Sequence, residues 1–317
     1  MKKIYIKYKI YINIMFKYCC SFCNKCETKS SKASSVQPVN NYGEDFHTFK
    51  FQKFDINKYN PVYLGNGVSG KVFKITYNTL NLTCKTISKS RYSEAIKEIK
   101  ILKSLQYEEN LPYYYKSIET SFDIHILYSY VPGLELFYHM KNKTVPVNNT
   151  KIIYEITKQM ALALEALFRY NYIHLDVKLE NIIIKSIDPI RLTLIDLGMC
   201  KKLNKKINKV NQIGTVGYAS PEVVLFNRFF HNSDIWSLGV VIYILITGKK
   251  LFPTLRSNMF YYSQKLKNFK GFKEKKEIVD SLNNNLFDLI KKMLTVNHFY
   301  RISIKSILNH RFIKNGC

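Results

Sequence analysis

The chain has 317 residues, 46% of them hydrophobic, which is enough to bury one large core with a short tail rather than several separate modules. Its formal charge is +26, but Lys, Asn, Ile, Tyr and Phe are abundant along the whole length, as in AT-rich coding sequence, so charge alone does not call for a nucleic-acid partner. Seven unevenly placed cysteines exclude a disulfide-knit framework and point to a reducing compartment.

Residues 1–45 read as a flexible, basic, cysteine-containing tail. Lys2, Lys3, Lys7, Lys9 and Lys17 alternate with Ile and Tyr, and the longest apolar stretch, 10–16, is broken by Asn13. That stretch is too short to span a bilayer and poor as a signal-peptide core. Cys19, Cys20, Cys23 and Cys26 follow closely. Three readings of them stand side by side. They could be acylated, which with the neighbouring lysines would hold the chain on a membrane surface. Cys20, Cys23 and Cys26 could hold zinc, although no second ligand pair lies at finger-like spacing. Or the tail takes no ligand. Residues 27–45, rich in Ser, Asn, Lys and Thr, read as a linker.

Residues 54–130 predict a small, strand-rich unit. Tyr63-Leu64 and Val72-Phe73-Lys74-Ile75 read as strands joined by Gly65-Asn66-Gly67-Val68-Ser69-Gly70, a turn whose backbone amides phosphate can approach because few side chains intervene. Leu82-Thr83-Cys84-Lys85 predicts a third strand. The apolar spacing of 95–102 predicts an amphipathic helix, preceded by Glu94 and carrying Glu98 one turn further on; by the resemblance drawn below, Glu98 would be the carboxylate partner of Lys85, with Glu94 as the alternative. Residues 126–131 predict a last strand that runs out at Pro132-Gly133.

Residues 131–313 predict a larger, mostly helical unit. The span 149–169 carries a buried stripe of Ile152, Ile153, Ile156, Met160, Leu164 and Leu167. Beyond it come His174-Leu175-Asp176-Val177-Lys178-Leu179-Glu180-Asn181, then Asp196-Leu197-Gly198, then Ser220-Pro221-Glu222, then a helix opening at Asp234.

Together with the glycine turn and Thr83-Cys84-Lys85, these motifs resemble in order and spacing the eukaryotic protein kinases, over 58–313, and in style the Ser/Thr-directed calcium/calmodulin-dependent group. The resemblance implies an α+β, bilobal fold, ATP and Mg2+ as cofactors, and transfer of the γ-phosphoryl group to Ser or Thr of protein substrates. It implies roles for individual residues as well. Gly65, Asn66, Gly67, Val68, Ser69 and Gly70 would cover the phosphates. Val72, Thr83 and Ile183 would line the adenine, with Ser129 and Val131 meeting its edge, and Glu135 would touch the ribose or a basic substrate residue. Lys85, held by Glu98, would grip the α- and β-phosphates. Asp176 would be the base, Lys178 would neutralise phosphoryl charge, Thr215 would bridge the two, and Asn181 and Asp196 would hold magnesium. Leu102, His174, Leu197 and Asp234 fall at the positions of a stacked internal spine, and Glu222 is expected to pair with Arg301.

The chain departs from the family's pattern at four places. Thr83 stands where Ala is usual and should narrow the adenine pocket. Tyr128, at the gatekeeper position, should close the space behind the adenine. Leu197 replaces the commoner Phe. Leu175 replaces the arginine that receives an activation-loop phosphate, and 199–213 contains no Ser, Thr or Tyr, so switching by loop phosphorylation is not expected.

Glu135 and Glu180 suggest substrates with a basic residue before the phosphoacceptor, whereas Lys201, Lys202, Lys205, Lys206 and Lys209 could attract acidic ones. Two rivals to catalysis remain: a nucleotide-binding pseudokinase, and a basic nucleic-acid or membrane binder that borrows the fold. The expected setting is the cytoplasm, as a monomer, with membrane association if the tail is acylated.

Overall fold

The structure is a computed structural model that describes residues 54–67, 69–204, 209, 214–253, 258–272 and 283–316. The readings placed on the 1–45 tail, its cysteine cluster, Val68, Lys205 and Lys206 lie outside the described residues.

Alternating side chains build the first unit. Strands β1 (Val62–Asn66), β2 (Lys71–Tyr77), β3 (Leu80–Ser88), β4 (Tyr114–Glu119) and β5 (Asp123–Ser129) form one antiparallel sheet in the order β1-β2-β3-β5-β4. Successive residues of a strand face opposite sides. Leu82 and Cys84 of β3 therefore join Ile75, Ile118 and Leu127 in a small core capped by Phe54, Ile56 and Tyr59. On the other face, Ile87, Ile124, Ile126 and Tyr128 belong to the main core together with Ala95, Ile99, Ile101 and Leu102 of helix α1 (Tyr92–Ser104). The same alternation turns Thr83 and Lys85 away from the Leu82–Cys84 face. Burial pushes the Cys84 thiol up to about 12, so it is an apolar filler and not a nucleophile.

The chain then enters β6 (Leu134–Glu135), α2 (Leu136–Lys141) and α3 (Thr150–Arg169). Asn149 caps α3 by accepting the Ile152 amide at 3.0 Å. Ile153, Ile156, Met160, Leu164 and Leu167 are buried as their spacing predicts, while Ile152 is only half-buried at the first turn. Beyond α3 come β7 (Tyr172–Ile173), the hairpin β8 (Ile182–Ile187) and β9 (Ile190–Leu194), and β10 (Lys201–Lys202), which pairs with β7.

Helices α4 (Pro221–Phe226), α5 (Ser233–Thr247), α6 (Met259–Asn268), α7 (Asn284–Met293), α8 (Ile304–Leu308) and α9 (Arg311–Lys314) complete the second unit. α5 is apolar on every side and almost wholly buried, with Trp236 fully enclosed, so the other helices pack around it. Among the described residues, no helix is long and apolar enough to cross a membrane.

Candidate active site

The glycine turn lies over Lys85. Its ends close through the Gly67 amide donating to the Gly70 carbonyl at 2.9 Å. A Cβ on Gly70 would overlap the Thr86 carbonyl oxygen, and one on Gly67 would sit 3.0 Å from Lys85 Cε. Glycine is needed at 70, where backbone meets backbone, whereas at 67 a side chain would crowd the lysine. Val72 pairs with Lys85 across β2 and β3.

Lys85 is 1% exposed and has two carboxylates: Glu98 Oε1 at 2.8 Å and Asp196 Oδ1 at 3.1 Å. Burial alone would lower its pKa, but Glu98 and Asp196 outweigh burial and raise it, so the ammonium stays charged. Burial would likewise raise Asp196, yet Lys85 and the Gly198 amide hold this carboxyl below its ordinary value. Asp196 sits at φ +60°, the conformation that lets it bond the Gly198 amide two residues on at 3.3 Å. Glu94 is not the partner of Lys85. It is exposed and pairs with Arg91 at 2.5 Å, because it lies one turn earlier, at the start of α1 where residues 92–94 are all exposed.

Four side chains converge on the catalytic-loop candidate. Asp176 Oδ1 accepts the Thr215 hydroxyl at 2.5 Å and the Thr215 amide at 3.2 Å. Its Oδ2 accepts Lys178 Nζ at 2.8 Å and Asn181 Nδ2 at 3.1 Å, and Lys178 also donates to Thr215 Oγ1 at 3.0 Å. Asp234, from the first turn of α5, accepts the backbone amides of His174 at 2.7 Å and Leu175 at 2.8 Å. Burial keeps the Asp234 carboxyl above its usual value despite those two amides and the nearby His174. His174 Nε2 lies 3.1 Å from the Ile195 carbonyl and so ties this loop to the segment carrying Asp196. Leu102, His174, Leu197 and Asp234 are all buried.

Asn181 and Asp196 offer hard oxygen donors, the chemistry that suits magnesium. Asn181 spends its amide nitrogen on Asp176, at 2.8 Å to the backbone oxygen and 3.1 Å to Oδ2, which turns its own amide oxygen the other way. By donor chemistry these two residues suit a divalent cation.

The adenine candidates are distributed over β2, β3, the end of β5 and β8. Thr83 is directly opposite Tyr128, and both are buried. Ser129 pairs with Leu82 and donates its amide to the Tyr113 carbonyl at 2.8 Å. Val131 is half-buried just beyond it. Ile183 of β8 pairs with Glu135 of β6. Burial and then the neighbouring Glu180 push the Glu135 carboxyl up, with Lys178 pulling the other way. Glu180 Oε2 is buried without a hydrogen-bond partner among the described residues.

Two contacts were not legible in the sequence. The Ser69 hydroxyl donates to Glu98 Oε2 at 3.1 Å, though a serine in a glycine turn carries no signal of its target. Asp234 was placed only in a spine, yet it holds the backbone of the catalytic loop.

A model of the protein kinase domain matches residues 60–313. The chain is 28% identical over 292 residues to serine/threonine-protein kinase unc-51 of Caenorhabditis elegans, covering 85% of this chain and 32% of that protein. It is 26% identical over 257 residues to myosin light chain kinase 2 of Rattus norvegicus (80% and 41%) and 29% over 275 residues to an Aurora kinase of Eremothecium gossypii (84% and 71%). The chain thus spans well under half the length of the first two curated relatives. With the family model covering most of its length, and Lys85, Glu98 and Asp196 on one side and Asp176, Lys178 and Asn181 on the other held in hydrogen-bonded groups, the chain belongs to the protein kinase family.

Proposed function

We propose that this chain is a serine/threonine protein kinase that transfers the γ-phosphoryl group of ATP to protein hydroxyls. One observation carries the reading: Asp176 is oriented by Thr215, Lys178 and Asn181 while Lys85 is simultaneously paired with Glu98 and Asp196. Asp176 accepts the proton of the attacking hydroxyl as the new O–P bond forms and ADP departs. Lys178 offsets charge on the moving phosphoryl group, and Lys85 orients the phosphates that stay behind. Asn181 and Asp196 would hold a magnesium ion, which when bound would supply charge neutralisation at the phosphates.

For substrate, we favour Ser/Thr preceded by a basic residue. Support comes from the adjacent Glu135 and Glu180, of which one has a raised pKa and the other a buried, unpartnered oxygen. A cation would answer both. The loop lysines at 201–209 are the competing feature.

Loop phosphorylation is not part of this proposal, since 199–213 lacks hydroxyl side chains and Leu175 is a buried leucine where an arginine would receive phosphate. Phosphatase treatment should leave activity unchanged. The cytoplasm is the proposed setting, with the Cys19–Cys26 segment as the place for an acyl anchor; palmitate labelling of Cys→Ser variants tests it.

The central test is incorporation of labelled phosphate from ATP and Mg2+ into a basic Ser/Thr peptide, with Asp196→Asn as control. Nucleotide binding without incorporation would leave a pseudokinase, and the absence of both binding and incorporation would sink the reading.

A further inference from the structure

We propose that the Ser69 side chain is a latch: it pins the glycine turn onto the Lys85–Glu98 pair, and ATP has to displace it. The proposal rests on the ATP-site reading above and adds a residue that sets nucleotide affinity.

Ser69 is 3% exposed and its hydroxyl donates to Glu98 Oε2 at 3.1 Å, while Lys85 takes Oε1 of the same carboxylate at 2.8 Å. The chain of contacts continues from Lys85 to Asp196 and from Asp196 to the Gly198 amide. Ser69 Oγ also lies 3.5 Å from where a Cβ on Gly198 would be. One hydroxyl therefore connects the glycine turn, helix α1, strand β3 and the Asp196 segment.

The same arrangement brings the turn down on the lysine. A Cβ on Gly67 would stand 3.0 Å from Lys85 Cε and 3.2 Å from Nζ. A phosphate bound between the turn's amides and the Lys85 ammonium needs a hydrogen bond on each side, so roughly 5 Å or more must separate them. The turn must rise to admit it, and rising carries Ser69 off Glu98. Hydroxyl and phosphate are thus mutually exclusive occupants of the space under the turn. A bond made only in the form that cannot take phosphate lowers apparent affinity by the fraction of molecules latched.

Ser69→Ala removes the donor and keeps the small side chain. It should bind MgATP about three- to tenfold more tightly in calorimetry, the scale of one ordinary hydrogen bond's net contribution. Ser69→Thr, which keeps the hydroxyl, should bind like the parent. A second readout needs no nucleotide: the rate at which an amine-acylating reagent labels Lys85, read by mass spectrometry. Ser69→Ala should raise that rate several-fold and Ser69→Thr should not. Equal or weaker MgATP binding by Ser69→Ala, or Lys85 labelling no faster than in the parent, would overturn the latch. If the parent binds no nucleotide at all, the kinase reading fails, and the labelling arm alone then decides on Ser69.

Discussion

Glu222 and Arg301, 79 residues apart, meet in a two-pronged ion pair of 2.7 and 2.8 Å in which both side chains are almost completely buried. Arg301 also donates to the carbonyls of Asn232, Thr295 and Val296 and lies 5.3 Å from the Trp236 ring centroid. The Ser233 hydroxyl adds a bond to Glu222 at 2.8 Å. One guanidinium thus ties α4, the start of α5 and the segment after α7 together.

Removing either partner strands a buried charge. Glu222→Ala and Arg301→Ala should each lose about 3–5 kcal/mol of stability in urea denaturation. Arg301→Lys should recover little, because an ammonium cannot reproduce the fork. Burial would raise the Glu222 pKa, but the bonds and charge of Arg301 lower it overall. A carboxyl depressed in the folded state contributes stability above its unfolded pKa and loses it as pH falls through the folded value. Acid should therefore destabilise the parent more steeply than Arg301→Ala below the ordinary glutamate range of about 4.3.

Asp176→Ala should lower kcat by ~10²–10⁴-fold with nucleotide affinity retained, since Asp176 acts on the hydroxyl and not on the phosphates. Thr215→Ala should fall in the same direction by a smaller factor, because Lys178 and Asn181 still hold the other carboxylate oxygen. Steady-state kinetics and a separate MgATP titration check both.

Glu180→Gln should reduce kcat/KM for arginine-containing peptides by roughly tenfold and leave peptides lacking a basic residue unaffected, the size of one charge-assisted contact. Burial and Glu180 raise the Glu135 pKa, so Glu135 takes up its proton at a higher pH than an ordinary glutamate. The preference for basic peptides should therefore fade on acidification as Glu135 takes up its proton. A peptide array run across the acid range tests it.

Tyr128 is 9% exposed behind Thr83 and belongs to the core that includes α1. Tyr128→Gly should admit ATP analogues enlarged on the adenine, which the parent excludes. Labelling with such an analogue measures it, and equal use by both proteins would show that the tyrosine does not close the pocket.

Much of the fold was legible because its signals are local. The period of 149–169 marked α3, the resemblance of 82–85 to the family's lysine-bearing strand marked β3, and glycines at 65, 67 and 70 marked the turn between β1 and β2. The choice between Glu98 and Glu94 was not local, since both lie on one side of a predicted helix. It was decided by which of them faced the sheet once α1 had docked, and Glu98 is buried while Glu94 faces solvent.

Chain order alone determined the inventory: a glycine turn, a cation, an Asp-x-Lys-x-x-Asn loop and a later Asp-Leu-Gly, because each is a short motif whose residue types carry the chemistry. Tertiary structure decided who holds whom. Lys85 to Asp196 spans 111 residues and Ser69 to Glu98 spans 29. Contacts across such distances depend on how the sheet, α1 and the buried α5 pack, and packing geometry is not encoded in any local window.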